Sequence, residues 1–415
     1  MKVLFLNAYF YPENTAFCHL EQDIINGLVH AGHEVCVVCP IPSRGISPED
    51  AKKYRDNKHE NFTHIHVERY WAPAEGSNPF IRAFRYLWCN LKGNRVGRRF
   101  TGADVVFAVS TPPTQGFFAG RLAKKLHAAF VYSVQDLFPD SLVTSGLARR
   151  KSLSYLIGTY ISRKTYNKCS SVVALSDTVK KNLISEGVDS SKISVIGNWV
   201  DSEMVMPIAR EVNPLFDDYH IDRDRFTVVY AGNFGASQGA EIILRAAEKL
   251  KNEQGIQFVV FGGGAEFEDA ERYVQNHMLS NVSIFPLLPE YRVAEAYSMG
   301  DVALITCKKG VSKTAMPSKT WNIMACNTPI IASFDTDSEL AQIIEESDAG
   351  VCVEPENAEA LSEAIENAYR NRIDLIRRKH SLKSREYVIE HASKEESVQK
   401  YLDCIEGAVE GAVSS

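Results

Sequence analysis

Short apolar segments alternate with amphipathic helical segments along almost the whole chain. KVLFLNAY at the start is typical of a buried strand, and residues 17–31 carry apolar side chains at helical spacing. The same alternation continues through HEVCVVCP, DVVFAVS, FVYSVQD, SVVALS, FTVVYAGNFG, FVVFGGG, VSIFPL, DVALIT, PIIAS and AGVCVEP. Strands separated by helices pair in parallel and are covered on both faces. The sequence therefore predicts an α/β protein with doubly wound parallel sheets.

The alternation starts afresh at FTVVYAGNFG, residues 226–235, which divides the chain into two similar halves. The charged segment PIAREVNPLFDDYHIDRDR precedes this point and is interpreted as a linker. We predict a Rossmann-like N-terminal domain at 1–205, a second such domain at 206–380, and helices at 381–415 that return to the first domain. Ligands of such sheets bind beyond the carboxyl ends of the strands, so we expect both edges to face one central cleft.

Several classes of protein do not fit the sequence. No apolar run approaches the roughly 20 residues of a membrane span, and the first residues indicate a strand rather than a signal peptide because a small-residue cleavage site is lacking. The cysteines number nine and are scattered, which favours a reducing cytoplasm over a disulfide framework. Cys36 and Cys39 form a C-x-x-C, but they lie in a predicted strand, where positions three apart point to opposite faces. We therefore expect no metal or redox role for them.

Positive charge is concentrated in residues 82–168. This segment has 15 Lys and Arg against three Asp, a net +12, whereas the whole chain is −6. Within it, NPFIRAFRYLWCNLKGNRVGRRF interleaves aromatic and basic residues, a pattern typical of a helix at an anionic membrane surface. The predicted contacts are Trp88, Arg95, Arg98 and Arg99. No nucleic-acid-binding motif accompanies the charge, so we expect a cytoplasmic protein bound peripherally to the inner face of the plasma membrane.

Three loops at predicted carboxyl strand ends are suited to a phosphate group: AGNFGASQG, FGGGAEF and KTAMPSKTWN. Glycines allow backbone N–H groups to approach a phosphate closely. In the third loop, Pro317 and Ser318 begin a predicted helix with Lys319 in its first turn. A helix N-terminus is already partly positive, so a cation there indicates a site for an anion. Neither a P-loop nor a dinucleotide-type G-x-G-x-x-G is present, which favours a nucleotide diphosphate bound in another way.

The order and spacing of these motifs resemble the large family of retaining GT-B-fold glycosyltransferases that includes glycogen synthase-like enzymes. The matching segments run from about residue 1 to 370: YFYPENTA, VALSDTVKKNLISEGVDSSKISVIGNWVD, YAGNFGASQG, VVFGGGAE, NVSIFPLLP and MPSKTWNIMACNTPIIAS. They are most similar to the bacterial surface-polysaccharide subgroup that adds N-acetylated amino sugars, such as fucosamine, to lipid-linked saccharides. The resemblance implies a UDP-sugar donor and a lipid-linked saccharide acceptor. Since no D-x-D cluster stands at a strand end, we expect neither an essential metal nor another cofactor.

The resemblance also implies donor-binding positions. These are Gly232, Asn233, Gly235, Gln238, Gly263, Leu287, Thr314, Pro317, Ser318 and Asn322. The sequence departs from the family at four of them: a diphosphate-binding Arg and Lys are replaced by Asn233 and Gln238, and two glutamates by Thr314 and Asn322. Two cations and two carboxylates are lost together, which roughly conserves the charge of the site. The remaining cation, Lys319, is the predicted catalytic group that holds the departing diphosphate.

Two acidic residues of the first domain are further catalytic candidates. Asp136 follows a predicted strand in VQDLFPD, near the position where many relatives carry a histidine, and it could act in catalysis, bind the acceptor or cap a helix. Glu13, in YPENTA, is the second candidate.

Two other functions remain open. A UDP-sugar 2-epimerase has a similar two-domain shape, but it would release free product without an acceptor and needs no membrane patch. An inactive scaffold subunit of a polysaccharide assembly complex is favoured by the lost arginine and glutamates, whereas Lys319 and the glycine loops oppose it.

Overall fold

The computed structural model describes residues 1–13, 17–74, 79–144, 148–313, 316–381 and 383–413. The strands are β1 (Lys2–Leu6), β2 (Glu34–Pro40), β3 (His59–Phe62), β4 (Ile65–Tyr70), β5 (Val105–Val109), β6 (Ala129–Val134), β7 (Ser171–Ala174), β8 (Ile193–Val195), β9 (Phe226–Asn233), β10 (Ile256–Gly263), β11 (Val282–Pro286), β12 (Val302–Thr306), β13 (Ile330–Ser333) and β14 (Gly350–Val353).

The helices are α1 (Cys18–His30), α2 (Pro48–Asp56), α3 (Pro79–Gly97), α4 (Gln115–Leu126), α5 (Asp140–Thr144), α6 (Leu153–Tyr166), α7 (Asp177–Ser185), α8 (Leu215–Asp218), α9 (Glu241–Lys249), α10 (Phe267–Asn276), α11 (Val293–Ser298), α12 (Lys319–Ala325), α13 (Glu339–Glu346), α14 (Ala358–Arg370), α15 (Arg372–Ser381), α16 (Lys383–His391) and α17 (Lys394–Val413). Across the described ranges, no helix is both long and apolar enough to span a membrane.

The strands form two sheets of the predicted doubly wound type. One has eight strands in the order β3-β4-β2-β1-β5-β6-β7-β8, and the other has six in the order β11-β10-β9-β12-β13-β14. Among the described strands, every pairing is parallel except that of β3 with β4. The strand order reverses between β1 and β5 in the first sheet and between β9 and β12 in the second. These two switch points are where such sheets usually bind ligands.

The apolar runs form strands because both faces of each sheet are covered. In β9, Val228 and Val229 are successive residues that point to opposite faces, and each is buried in a different core cluster. A strand covered by helices on both faces needs a continuous stretch of apolar residues, because side chains on both of its faces are buried. The predicted fold class is confirmed.

The chain divides into two compact units, one made of Met1–Asn198 with Glu395–Ser415 and the other of Trp199–Lys394. These divisions differ from the predicted boundaries at 205 and 380. Val205 is buried in the core of the second unit, and the Arg385 guanidinium donates to the carbonyl oxygens of Val205 (2.8 Å) and Ala325 (2.7 Å). Helix α16 therefore stays with the second unit, and α17 belongs to the first, where the Tyr401 hydroxyl lies 3.0 Å from Ser133 Oγ.

The segment interpreted as a linker is an integral part of the second unit. Leu215 and Phe216 are fully buried in its core. The Arg210 guanidinium donates to the carbonyl oxygens of Arg223 (2.7 Å) and Arg225 (2.6 Å). Because two apolar residues and one bridging arginine fix the segment to the domain, its charged composition does not make it a flexible connection.

Candidate functional site

The switch point of the second sheet brings together the loops that follow β9 and β12. The Lys308 backbone N–H donates to the Ser237 carbonyl oxygen at 3.0 Å. Gly239 has a φ of 55°, and a Cβ there would lie 3.2 Å from Lys308 Cγ, so both backbone conformation and space favour glycine. Lys308 was not among the predicted site residues. A lysine in a loop that directly follows a predicted buried strand could have indicated it.

The loop after β10 is joined to the loop after β9. The Phe234 N–H donates to the Gly263 carbonyl oxygen (2.6 Å), and the Glu266 N–H donates to the Phe234 carbonyl oxygen (2.9 Å). The amide of Asn233 lies over both loops, since a Cβ at Gly235 would be 2.6 Å from Asn233 Nδ2 and a Cβ at Gly264 would overlap Asn233 Oδ1. Two predicted glycine loops thus form one surface, with the neutral amide of Asn233 lying over it.

A third loop reaches the same edge at Leu287, directly after β11. A Cβ at Gly263 would lie 3.7 Å from Leu287 Cβ, an ordinary van der Waals distance. The Leu287 side chain is exposed, which leaves an apolar surface beside the glycine loops. The structure therefore places Gly232, Asn233, Gly235, Gly263 and Leu287 along one sheet edge.

Lys319 is the first residue of α12, in the first turn as predicted. Its Nζ lies 4.0 Å from the centroid of the Tyr230 ring and packs against Gly232, where an added Cβ would overlap it. Nζ is buried, and among the residues that the structure describes it has no hydrogen-bond partner. A cation–π contact offsets part of the desolvation of an ammonium, but a buried charge without an anionic partner still costs several kcal/mol.

Gln238 and Lys319 both lie near the Cys307 thiol, which follows β12. Cys307 Sγ is 3.9 Å from Gln238 Oε1. Burial raises the pKa of Cys307 to about 12, although the nearby positive charge of Lys319 acts in the opposite direction. The thiol is therefore protonated at neutral pH and is no nucleophile, while its position links the loop of Gln238 to Lys319.

Asp335, just beyond β13, holds the loop that leads toward Lys319. Its carboxylate accepts hydrogen bonds from the Gly310 N–H (2.9 Å), the Ser312 N–H (3.3 Å) and the Ser312 hydroxyl (2.6 Å). Sequence reasoning missed this residue, although an aspartate at the end of a predicted buried strand was a usable signal. Asp335 acts as a positioning residue for the loop after β12.

The remaining predicted donor-binding residues lie at or near the start of α12. The Pro317 carbonyl oxygen accepts from the Thr320 N–H at 3.2 Å. Ser318 is exposed and occupies the N-cap position without a capping hydrogen bond from its side chain. Asn322 is half-buried one turn further on. Thr314 lies outside the described residues.

Glu13, at the switch point of the first sheet, is part of a buried ion pair. Its Oε1 accepts from the N–H groups of Ser43 (2.8 Å) and Arg44 (3.0 Å) and lies 3.7 Å from Arg85 Nη2. Both charged side chains are almost completely buried, and desolvation raises the pKa of Glu13 despite these contacts. Arg85 is therefore no part of the basic surface to which its position in the segment 82–168 assigned it.

Asp136 follows β6, next to the end of β5. The N–H groups of Gln135 (2.9 Å) and Asp136 (3.1 Å) donate to Ser110 Oγ, which fixes the backbone here. Helix α5 begins only at Asp140, so Asp136 does not cap it. The side chain is open to water, yet the protein atoms around the carboxylate desolvate it enough to raise its pKa. An accessible carboxyl with a raised pKa is suited to proton transfer or to a hydrogen bond with a sugar hydroxyl.

The predicted membrane residues lie along and just after α3. Trp88 is half-buried, and its Nε1 donates to the Trp71 carbonyl oxygen at 2.9 Å. Arg95 and Arg98 are exposed. Arg99 is also exposed, but its Nη1 lies 3.3 Å from Glu68 Oε1, so its charge is partly compensated.

In the part of the chain that the structure describes, no group of three or more His, Cys, Asp or Glu side chains is arranged to hold a metal ion. Cys36 and Cys39 are buried free thiols. That the protein needs no metal ion stays a prediction.

Both halves of the chain match models of glycosyltransferase families. Residues 22–204 match the model described as Glycosyltransferase Family 4, and residues 212–395 match the model described as Glycosyl transferases group 1. Together these matches cover most of both units. The chain therefore consists of two glycosyltransferase domains, of which the one at 212–395 is of the group 1 type.

Three similar proteins extend this identification. "Putative colanic acid biosynthesis glycosyl transferase WcaI" of Escherichia coli (strain K12) is 25% identical over 417 residues, covering 98% of this chain and all of that protein. Sucrose-phosphate synthase from Thermosynechococcus elongatus has a TM-score of 0.75 at 16% identity, with 98% of each chain covered. Alr3699/HepE of Anabaena, solved with UDP and glucose, has a TM-score of 0.72 at 13% identity, covering 98% of this chain and 100% of that one. The two structures show that this glycosyltransferase has the GT-B fold.

Proposed function

We propose that this glycosyltransferase moves a sugar from a UDP-sugar to a lipid-linked saccharide during synthesis of a bacterial surface polysaccharide. The donor sugar is of the N-acetylated amino class, and the anomeric configuration is retained. The similarity to a protein named for colanic acid biosynthesis supports the pathway class. The subgroup resemblance of the motifs supports the donor class and the lipid-linked acceptor.

The observation that carries the proposal is the buried ammonium of Lys319. It lies against the glycine loop after β9 and, within the described residues, lacks an anionic partner. A diphosphate at this sheet edge would supply the missing negative charge once the ammonium leaves the Tyr230 ring. Alr3699/HepE, whose fold is shared, is known with UDP bound. Lys319 would then stabilise the charge that develops on the departing UDP.

The other residues of the edge have distinct proposed roles. Backbone N–H groups of the two glycine loops would contact the diphosphate, and Asn322 would contact the ribose hydroxyls, since an amide can both donate and accept. Leu287 offers an apolar surface beside Gly263. In the first unit, Asp136 would bind the acceptor or accept its proton. Glu13 is less suited to such a role because its carboxylate is buried and already paired.

Incubation with a panel of radiolabelled nucleotide sugars, with and without membrane lipid extract, tests the proposal. We expect label to enter the lipid fraction from one UDP-linked N-acetylated sugar, and we expect chelation by EDTA to leave the rate unchanged. Conversion of the sugar nucleotide without lipid would indicate the epimerase. Absence of both transfer and UDP binding would indicate the scaffold.

The predicted membrane contact of α3 has its own test. The Arg95→Glu/Arg98→Glu/Arg99→Glu variant should lose flotation with anionic vesicles, because each cation near such a surface contributes roughly 1 kcal/mol. It should keep UDP affinity and activity on a short soluble acceptor. Lys400→Glu, which reverses an exposed cation on α17, is the matched control. Vesicle binding that ignores both salt and the triple reversal would contradict the contact.

A further inference from the structure

Helix α6 exposes an apolar stripe to solvent. Four large apolar side chains repeat at helical spacing on its outer side, and more than half of each is exposed: Leu153 (74%), Leu156 (56%), Ile157 (51%) and Tyr160 (60%). A helix on the surface of a soluble domain usually turns such a stripe toward the core. Contiguous exposed apolar surface of this kind marks an interaction site.

The inner side of α6 explains why the stripe cannot simply rotate inward. Small residues face α4 and the loop after β6 there, and their contacts are close. A Cβ at Gly158 would lie 2.7 Å from Pro139 Cβ, and one at Gly116 on α4 would lie 2.5 Å from Thr165 Cγ2. The Ser162 hydroxyl donates to the Phe138 carbonyl oxygen at 2.7 Å. The helix is therefore fixed with its apolar side outward.

Helix α6 shares one helix layer with α4 and α3. On one side of α4, Lys168 Nζ lies 4.6 Å from the Phe117 ring centroid. On the other side, the Asn94 amide of α3 donates to the Phe118 carbonyl oxygen at 2.7 Å. Helix α3 also exposes large apolar side chains, namely Ile81, Phe84, Leu87 and Leu91. Two outward apolar stripes thus border α4.

The surface between and around the stripes is strongly basic. Residues 117–168 contain nine Lys and Arg but only two acidic residues, Asp136 and Asp140. Exposed cations occur on α4, before α6 and at the end of α6: Arg121, Lys124, Lys125, Arg149, Arg150, Lys151, Arg163 and Lys164. Of the two acidic residues, Asp140 is paired with Arg150 at 3.3 Å. The pKa of Lys168 is lowered by burial and by the positive charges of Arg121, Lys164 and Lys124, as expected where cations are crowded.

We propose that α6 is a second membrane-docking helix, whose apolar stripe enters the interfacial region of an anionic bilayer while the cations of α4 and α6 contact lipid phosphates. Apolar side chains beside clustered Lys and Arg are the combination that binds such a surface. A protein partner or a second copy would not require nine cations of one sign. The inference extends the proposed function, because a lipid-linked acceptor brings the first unit to the bilayer. Docking through α6 would determine which face of the first unit contacts the bilayer.

Flotation with vesicles of phosphatidylcholine, with and without phosphatidylglycerol, tests the inference. The variant Leu156→Ser/Ile157→Ser/Tyr160→Ser removes three exposed contacts and should weaken partitioning into anionic vesicles by about tenfold or more. Ile373→Ser/Ile389→Ser removes exposed apolar side chains from the second unit and should bind as wild type does. Arg163→Glu/Lys164→Glu should weaken binding at low salt and have less effect at high salt.

Three outcomes would overturn the inference. The first is that the α6 triple variant floats like wild type. The second is that wild type binds neutral and anionic vesicles equally. The third is a concentration-dependent dimer that the triple variant abolishes while vesicle binding is unchanged, because a second copy would then cover the stripe. UDP affinity and transfer to a soluble acceptor should be normal in every variant, so a failure of the proposed reaction itself is seen separately.

Discussion

The switch points of the two sheets hold charge in different ways. In the first unit, the buried carboxylate of Glu13 is paired with Arg85, and Glu21, which burial keeps largely protonated by raising its pKa to about 8, accepts a hydrogen bond of 2.6 Å from the Asn7 amide. In the second unit, the buried ammonium of Lys319 contacts a tyrosine ring and a glycine, and no acceptor is found for it in the described ranges. The same type of sheet edge is thus closed by internal pairs in one unit and left with an uncompensated cation in the other.

This difference separates stability from ligand binding. A charge that is paired inside the protein does not contribute to the binding of a charged ligand. Removing its partner leaves an isolated buried charge. A charge without a partner destabilises the free protein but is available to an anionic substrate. We therefore expect substitutions at the first edge to change stability and substitutions at the second to change activity.

The largest effect is expected from Arg85→Ala. Loss of the guanidinium leaves the Glu13 carboxylate buried without a countercharge, so the free energy of unfolding should fall by about 3–5 kcal/mol. Urea unfolding measures it. Arg95→Ala, at an exposed position of the same helix, should change stability by no more than about 0.5 kcal/mol. Equal effects of the two variants on the free energy of unfolding would mean that the Glu13–Arg85 pair does not stabilise the fold.

Lys319→Ala should lower turnover by about two orders of magnitude, since one preorganised group that stabilises a developing charge contributes roughly 2.7–4 kcal/mol. It should not lower the thermal stability of the free protein, because a costly buried charge is removed. Lys319→Arg should recover part of the rate, as a planar fork replaces a point charge. Lys309→Ala, in the loop after β12 and exposed, is the control. Near-normal turnover of the Lys319→Ala variant at a saturating donor concentration would contradict the catalytic role of Lys319.

Glu21 should make stability depend on pH. Burial raises its pKa from 4.5 to about 8, so the folded state binds this proton more tightly than the unfolded state does. The contribution is fully present below pH 4.5 and is lost as the pH rises to about 8. Between pH 5 and 8, wild type should lose about 2–4 kcal/mol more than Glu21→Gln. Glu34→Gln, at an exposed position, is the control and should show the same pH dependence of stability as wild type. If Glu21→Gln also left this pH dependence unchanged, another group would have to cause it.

Asn322→Ala should have the smallest effect, weakening UDP binding by about 1–2 kcal/mol because a ribose hydroxyl loses its partner. Calorimetric titration with UDP measures the change. Asn276→Ala removes an exposed asparagine at the end of α10 and serves as the control. Unchanged affinity would show that Asn322 does not contact the nucleotide.

Sequence reasoning located most strands but not the polar ones. The apolar runs of β1, β2 and β9 predict buried strands because both faces are covered. Strands β3 and β4 were missed, since HENFTHIHVERY is mostly polar and its first strand lies at the sheet edge. Strand β8 was also missed, because it has only three residues. The interpretation of 207–225 as a linker was wrong for a similar reason: Leu215, Phe216 and Ile221 are buried in the core of the second unit, although the segment is rich in charged residues.

The candidate site was partly predictable. Glycines and a lysine after successive strands indicated the edge, because parallel strands bring their carboxyl ends together. Long-range pairing could not be predicted: Glu13 and Arg85 are 72 positions apart, and composition placed Arg85 on the surface. Periodicity also does not tell which side of an amphipathic helix faces the core. The outward stripe of α6 is visible only once Gly158 and Ser162 are found on its inner side.

The return of α17 to the first unit has a consequence for biosynthesis. The Tyr401 ring packs against Phe107 at 6.1 Å between centroids, and a Cβ at Gly27 would lie 3.2 Å from Leu402 Cδ1. These contacts cannot form until the ribosome has translated the whole second unit, which takes roughly 10–40 s at 5–20 residues per second. During that interval the nascent first unit exposes the apolar groove that α17 later fills. A chaperone that binds apolar surfaces should therefore associate with ribosome-bound chains that end before residue 394 and dissociate once α17 has emerged.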